Sequence, residues 1–261
     1  MCSDALHDLT LPMASLLRTG TSVAHREVER SQGGIWLTKG ELDKAEYVRY
    51  LMMLWHIYNT LESGLSRHAS HPILQPTSNP ALLARTPGLA SDISFLLQVP
   101  ESSWQSHPAH VALTKSPPPA LLDYSSRIHR ISESDPPRLL AHAYVRYLGD
   151  MSGGQILRRR IAKAYGLDIA EGSGIQFYHF SAFRGGKSGT GDNIRKMKDW
   201  YREGMNSAVG NDANLKAAIL DEAILAFELN SALLATLRGT TRACVDREGT
   251  SCKDAYQKHF R

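Results

Sequence analysis

The chain has 261 residues, a formal net charge of +4, and 42% hydrophobic against 21% charged residues. That balance fits a soluble globular protein long enough to bury one sizeable core. The mild basicity lacks the aromatic-interleaved Lys/Arg stripe of a nucleic-acid binder: the densest basic run, Arg158-Arg-Arg160, reads as a solvated helix face. Cys2, Cys244 and Cys252 lie at the two ends with no CxxC pair, so the pattern argues against a disulfide framework or structural zinc and for a reducing compartment such as the cytosol.

Most of the chain carries apolar residues at helical spacing. A first helix is expected from Met13 to Glu29, stopping near Gly33-Gly34. A second should begin after Thr38, with Lys39 to Leu42 as its first turn, and reach His68 on a stripe of Tyr47, Leu51, Leu54, Tyr58, Leu61 and Leu65. Pro72, Pro76 and Pro80 mark a loop, a short helix covers Ala81 to Leu97, and Pro100 to Pro119 reads as loop. Ala120 to Ile131 is helical, and Pro136-Pro137 opens a long helix running towards Ala164. The glycine-rich stretch from Gly172 to Gly191 surrounds an extended piece, Ile175 to Phe180. Helices from Asn193 to Ala208 and Ala213 to Leu237 follow, and residues 239–261 form a polar tail. No succession of strands is present, so the expected class is all-α, a single-domain multi-helix bundle over residues 1–238. No signal peptide and no run of about 18 apolar residues is visible.

The long helix holds the run Tyr144-Val-Arg-Tyr-Leu-Gly-Asp-Met-Ser-Gly-Gly-Gln155, with Gly149, Gly153 and Gly154 in its interior. Each such glycine destabilises a helix by about 0.5–1 kcal/mol against alanine. Two readings stand: a kink or tight helix contact, or a bare backbone surface for a large planar ligand. Arg146 and Asp150, four apart, fall on the glycine face, as an ordinary surface ion pair or as polar groups beside that ligand. In the first helix Arg18, Ser22, His25 and Glu29 form one stripe. A neutral histidine whose second nitrogen meets a carboxylate makes a good iron ligand, although most of the eleven histidines must be surface or core residues. Lys198 and Arg202 share a face and could clamp two carboxylates or simply belong to an amphipathic surface. Gly185-Gly-Lys187-Ser188 resembles the end of a phosphate-binding loop, but Ser181 stands where the required glycine would be.

The string His142-Ala-Tyr-Val-Arg-Tyr-Leu-Gly-Asp-Met-Ser-Gly-Gly-Gln-Ile-Leu157 resembles the distal-helix signature of the heme oxygenase family, in its biliverdin-producing, eukaryotic-like form. The first helix is similar to the family's proximal helix, with His25 at the iron-ligating position and Ser22 where the family often has lysine. Trp200-Tyr-Arg-Glu-Gly-Met-Asn-Ser207 resembles its propionate-binding helix, and Ala226-Phe-Glu-Leu-Asn230 its closing helix. The resemblance implies a heme sandwiched between proximal and kinked distal helices. Its contacts would come from His25, Arg18, Glu29, Tyr144, Val145, Gly149, Ser152, Gly153, Lys198, Arg202 and Phe227, with His25 on the metal. It further implies that Asp150, with Arg146, Tyr58, Tyr124, Asn230 and the backbone of Gly149 and Gly153, organises ordered water that delivers protons to the reacting dioxygen. Heme b would be both prosthetic group and substrate, opened to biliverdin with release of CO and ferrous iron. Electrons would come from NADPH through a separate reductase, cytochrome P450 reductase-like or a ferredoxin. The protein is expected to be a monomer in the cytosol, or on the cytosolic face of the endoplasmic reticulum if its native chain continues into a C-terminal anchor. A non-catalytic heme carrier or sensor on the same fold is the alternative, followed by another all-α pocket enzyme.

Overall fold

Apolar residues spaced three and four apart bury one face of each helix, and the computed structural model shows how those faces meet. It describes residues 7–239 apart from 186 and 189; the three cysteines and residues 240–261 of the expected tail lie outside that range. Among the described residues no strand forms, as expected for an all-α class.

The centre of the bundle is α4, Lys44–Arg67. Its predicted stripe is buried from Tyr47 to Leu61, with Leu65 at the edge, and Met52, Met53 and Ile57 bury further faces. An element apolar nearly all round belongs in the middle. The helix starts later than expected, because Gly40 takes a left-handed conformation (φ 68°) that caps the preceding helix. The expected helix Met13–Glu29 is two: α1, Met13–Gly20, and α2, Ser22–Arg30. They join at Thr21, whose buried hydroxyl donates to the Leu17 carbonyl at 2.7 Å, back-bonding that bends a helix. Gly33 and Gly34 are no stop. They lie inside α3, Gln32–Lys39, capped by Ser31 accepting from the Gly34 N–H. A Cβ on Gly33 would stand 2.3 Å from the Leu234 carbonyl oxygen and one on Gly34 2.4 Å from that of Val28. These glycines permit close packing.

The prolines conceal further helices. After α5, Pro80–Leu83, comes α6, Thr86–Leu97. The segment expected as loop up to Pro119 contains α7, Pro108–Lys115, with proline at its first turn. Then come α8, Pro119–Ser134; α9, Leu139–Ala143; a π-helical turn, Tyr144–Leu148; and α10, Gly153–Tyr165. The expected extended piece contains a single 3-10 turn, Gln176–Tyr178. α11, Gly191–Val209, and α12, Ala213–Ala235, complete the bundle, their N-termini capped by Thr190 and Asp212.

Glu222 on α12 ties three elements together. It accepts from Arg127 Nε (2.9 Å), faces His142 Nε2 at 2.9 Å, and lies 3.5 Å from Arg138 Nη1. Burial alone raises its carboxyl, but the hydrogen bonds from His142 and Arg127 outweigh that and hold it at about 2. Burial lowers the pKa of His142 while Glu222 opposes that; facing an ionised carboxylate, which can only accept, Nε2–H is the donor. This cluster fixes α12 against α8 and α9, and so sets Phe227 and Asn230 opposite the distal segment.

Candidate heme site

Between α2 and the distal segment lies a cavity of about 850 Å³, within the usual size range for a small-molecule or cofactor site. Its walls combine apolar side chains (Val28, Leu37, Leu54, Leu148, Leu157, Phe227) with Arg18 and Arg202. A planar apolar macrocycle carrying two carboxylates matches that composition. Arg18 is exposed, and Arg202 keeps a 3.1 Å contact with Asp199.

The proximal wall carries His25, half exposed on α2 (54%), its ring centroid 5.6 Å from that of Phe227 in an edge-to-face arrangement and Glu29 Oε2 3.6 Å from Nδ1. That separation is too long for a direct hydrogen bond; Glu29 is near enough for a water bridge or a small rotation. The distal wall is broken where the glycines fall. The π turn at Tyr144–Leu148 leads into Gly149-Asp150, and the helix breaks at Met151-Ser152, with Ser152 at φ −113°, ψ −90°. A Cβ on Gly149 or Gly153 would meet nothing within 4 Å, so both present bare backbone to the cavity they line. Gly154 also lines the cavity, but its Cβ position is in van der Waals contact with Tyr178 at 3.4 Å.

Arg146 and Asp150 make no ion pair with each other among the described residues. Both line the same cavity, but each hydrogen-bonds to a tyrosine rather than to the other. Tyr58 Oη donates to Asp150 Oδ2 at 2.5 Å, and Arg146 Nε donates to Tyr124 Oη at 3.1 Å. Arg146 also lies over the Tyr124 ring, 4.8 Å from its centroid. Burial pushes the Asp150 carboxyl up to about 7, against the lowering effect of the Tyr58 bond and of Arg85 and Arg146. Burial raises the Tyr58 phenol well above its ordinary range, so Tyr58 remains a donor. Arg146 Nη2 and Asn230 Oδ1 are buried without a hydrogen-bond partner among the described residues, and both residues line the cavity. Unsatisfied polar atoms at a roomy site call for ligand or water.

Of the residues expected to touch heme, His25, Arg18, Glu29, Tyr144, Val145, Gly149, Ser152, Gly153, Arg202 and Phe227 line the cavity. Lys198, one turn from Arg202 on α11, does not. Tyr58 and Tyr124 stand behind the wall as partners of Asp150 and Arg146. Residues not anticipated from sequence, among them Thr21, Leu54 and Tyr178, also line it. They come from the α4 stripe, the α1–α2 junction and the 3-10 turn, and carry no separate signal in the sequence.

Gly149 has helical angles (φ −61°, ψ −49°), which alanine adopts readily. Gly149→Ala should therefore leave the heme-free protein as stable or more stable by about 0.5–1 kcal/mol. The new methyl stands where a macrocycle would lie, so hemin affinity should fall about tenfold, or about 1.4 kcal/mol. Paired urea melts and hemin titrations measure both; unchanged affinity would leave Gly149 a flexibility residue only.

The heme oxygenase family model matches residues 11–236. Heme oxygenase 2 of Mus musculus is 32% identical over 233 residues, covering 88% of this chain and 67% of the mouse protein. The structure of heme oxygenase from Leptospira interrogans superposes with a TM-score of 0.74 at 35% identity, covering 87% of this chain and all of that one. Heme oxygenase-2 from Synechocystis sp. PCC 6803, solved with heme and NO, gives 0.75 at 31%, covering 86% and 84%. With a family model spanning nearly all its helices and relatives above 30% identity over most of its length, the chain belongs to the heme oxygenase family.

Proposed function

We propose that this protein opens heme to biliverdin, releasing CO and ferrous iron, with dioxygen as oxidant and NADPH-derived electrons supplied by an external reductase, cytochrome P450 reductase-like or a ferredoxin. The observation that carries this reading is the pairing of Asp150 with Tyr58 on the distal wall, beside the buried, unpartnered Arg146 Nη2 and Asn230 Oδ1. A carrier needs the cavity but not a proton-handling carboxylate in it. The similar Synechocystis protein, solved with heme and NO, supports heme as the ligand.

Heme supplies the iron that binds and activates dioxygen and is also the substrate attacked. The chain's own residues do the rest. The imidazole of His25 would hold the iron, with Glu29 near enough to orient its other nitrogen through water. Arg18 and Arg202, both on the cavity wall, would hold the propionates. Lys198 adds positive charge one turn away. Tyr144, Val145, Ser152 and Phe227 close over the apolar faces. Gly149 and Gly153 let the distal backbone approach the oxygen-binding side, where any side chain would intrude.

Asp150 holds a proton near neutrality, a match to general acid work at physiological pH. Tyr58 fixes one carboxylate oxygen and leaves the other for water. Arg146, held by Tyr124, and Asn230 offer a donor and an acceptor to the same water network. A reducing compartment such as the cytosol fits the cysteine usage, and no helix among the described residues is long and apolar enough to cross a membrane.

The test is an absorption spectrum of the full chain with equimolar hemin, followed after adding an electron donor in air. A sharp Soret band that decays while biliverdin absorbance grows is expected. A Soret band stable to reduction and oxygen would replace the oxygenase with a carrier or sensor.

A further inference from the structure

Arg85 sits between α5 and α6 with 5% of its surface exposed. Its side chain makes no ion pair among the described residues. It donates instead to four backbone carbonyls: Leu82 and Leu83 at 2.9 Å, Phe177 at 3.2 Å and His179 at 2.5 Å. Its guanidinium lies 4.0 Å from the Phe180 ring centroid. Glu62 of α4 approaches, but it accepts from the Arg85 backbone N–H (2.6 Å) and the Thr86 hydroxyl (2.5 Å) rather than from the guanidinium. A buried cation is destabilising unless something nearby uses its charge, and arginine cannot shed its proton.

Two connections lead from Arg85 to the distal wall. One is mechanical. Arg85 holds the carbonyls of the Gln176–His179 segment, while Asp92 accepts from the Gln176 and Phe177 N–H groups at 2.7 and 2.8 Å. Gln155 Nε2 then bridges the Tyr178 carbonyl (2.9 Å) and the Asp150 carbonyl (3.2 Å). The other is electrostatic. The charged and titratable groups facing Asp150 are Tyr50, Tyr58 and Glu62 on α4, Tyr124 on α8, Arg146 and Tyr147 on its own segment, Tyr178 of the 176–179 segment, and Arg85. Burial dominates the Asp150 carboxyl, and among the cations opposing it Arg85 ranks ahead of Arg146. Reciprocally, after burial, Asp150 is the strongest influence on Arg85, ahead of Tyr58 and Glu62.

We propose that Arg85 is a positioning residue for Asp150: its guanidinium fixes the 176–179 segment that Gln155 ties to the Asp150 backbone, and it supplies the buried positive charge whose field that carboxylate feels. The inference rests on Asp150 as the proton-handling group of the proposed reaction, yet its test needs neither heme nor turnover.

The test is the titration of the Asp150 carboxyl carbon in heme-free full-length protein labelled with carbon-13 aspartate, the signal assigned by its loss in Asp150→Asn. Arg85→Gln should raise the midpoint by about one pH unit, the lower end of what a nearby opposite charge does. Arg85→Lys, which keeps the charge, should stay within about 0.3 unit of the parent. Asp92→Asn loosens the same segment but leaves the cation, so it too should stay near the parent. An unmoved midpoint in Arg85→Gln, or an equal rise in Asp92→Asn, would overturn the proposal. If Arg85→Gln does not fold, a rise of about one unit in Arg85→Lys overturns it, and a parent-like midpoint there beside a folded, parent-like Asp92→Asn supports it. A failed heme-opening assay leaves these titrations unchanged, so the two readings fail separately.

Discussion

Hemin added to His25→Ala is expected to bind in the same cavity but to lose the spectrum of a histidine-ligated iron, and exogenous imidazole is expected to restore it. The fold should survive, because His25 is half exposed and packs edge-to-face with Phe227; truncation at such a site changes stability by about 0.5 kcal/mol or less. Retained affinity follows from the rest of the cavity, where apolar walls and the Arg18 and Arg202 guanidinium groups are untouched. Turnover should fall about 100-fold or more, which corresponds to about 2.7 kcal/mol of lost transition-state stabilisation. Titration by absorption, with and without imidazole, separates binding from ligation. An unchanged ligation spectrum in the variant would remove His25 from the metal and send the search to the other histidines.

How much of this site was legible in the sequence depends on how local each feature is. The α4 stripe from Tyr47 to Leu61 was legible because amphipathic spacing survives burial. The segment carrying Gly149, Asp150 and Gly153 was legible because its composition conflicts with its helical pattern. The break at Thr21 was not, since the apolar spacing continues through it and the bend comes from a hydroxyl back-bond. Gly33-Gly34 misled in the opposite direction. Glycine read as a terminator was serving close contact with α12 and α2, a reason that exists only in three dimensions. α7 was hidden because proline marks a loop and a helix start alike.

The distal polar groups show the same limit. Spacing of four put Arg146 and Asp150 on one face, and both do line the cavity, but the spacing could not show that each bonds to a tyrosine from another helix instead of to the other. Arg85 and Asp92 carried no motif at all, and Gln155, though inside the distal string, carried no role of its own. Their role comes from carbonyls and amides of residues 176–179, more than eighty positions from Arg85 and Asp92. Resemblance could point to the tyrosines and to Asn230; only the fold shows what holds Asp150 from behind.

The second large effect is expected at Asp150, and it has two signs. In Asp150→Ala and Asp150→Asn, hemin affinity should remain close to the parent's while biliverdin formation falls by about 10²–10⁴-fold, the usual contribution of a positioned acid. Stability of the heme-free protein should move the other way. The Asp150 carboxyl is raised from an ordinary 3.8 to about 7 in the folded state, so the folded protein binds its proton more tightly than the unfolded chain does. Stability is therefore fully present below about pH 4 and declines as pH rises towards 7, after which the loss is constant. Asp150→Asn removes that titration while leaving Tyr58 an acceptor. The variant should match the parent near pH 4 and exceed it at pH 8 by roughly 2–4 kcal/mol. Asp92, also raised to about 7 by burial, slopes both proteins alike, so the difference between them isolates Asp150. Urea unfolding at pH 4, 6 and 8 reads this directly. A variant that tracks the parent at every pH would mean that Asp150 ionises freely in the fold, and the general-acid role would go with it. A variant more stable at pH 8 yet unable to open heme would show a carboxylate kept at the expense of the fold because the chemistry needs its proton.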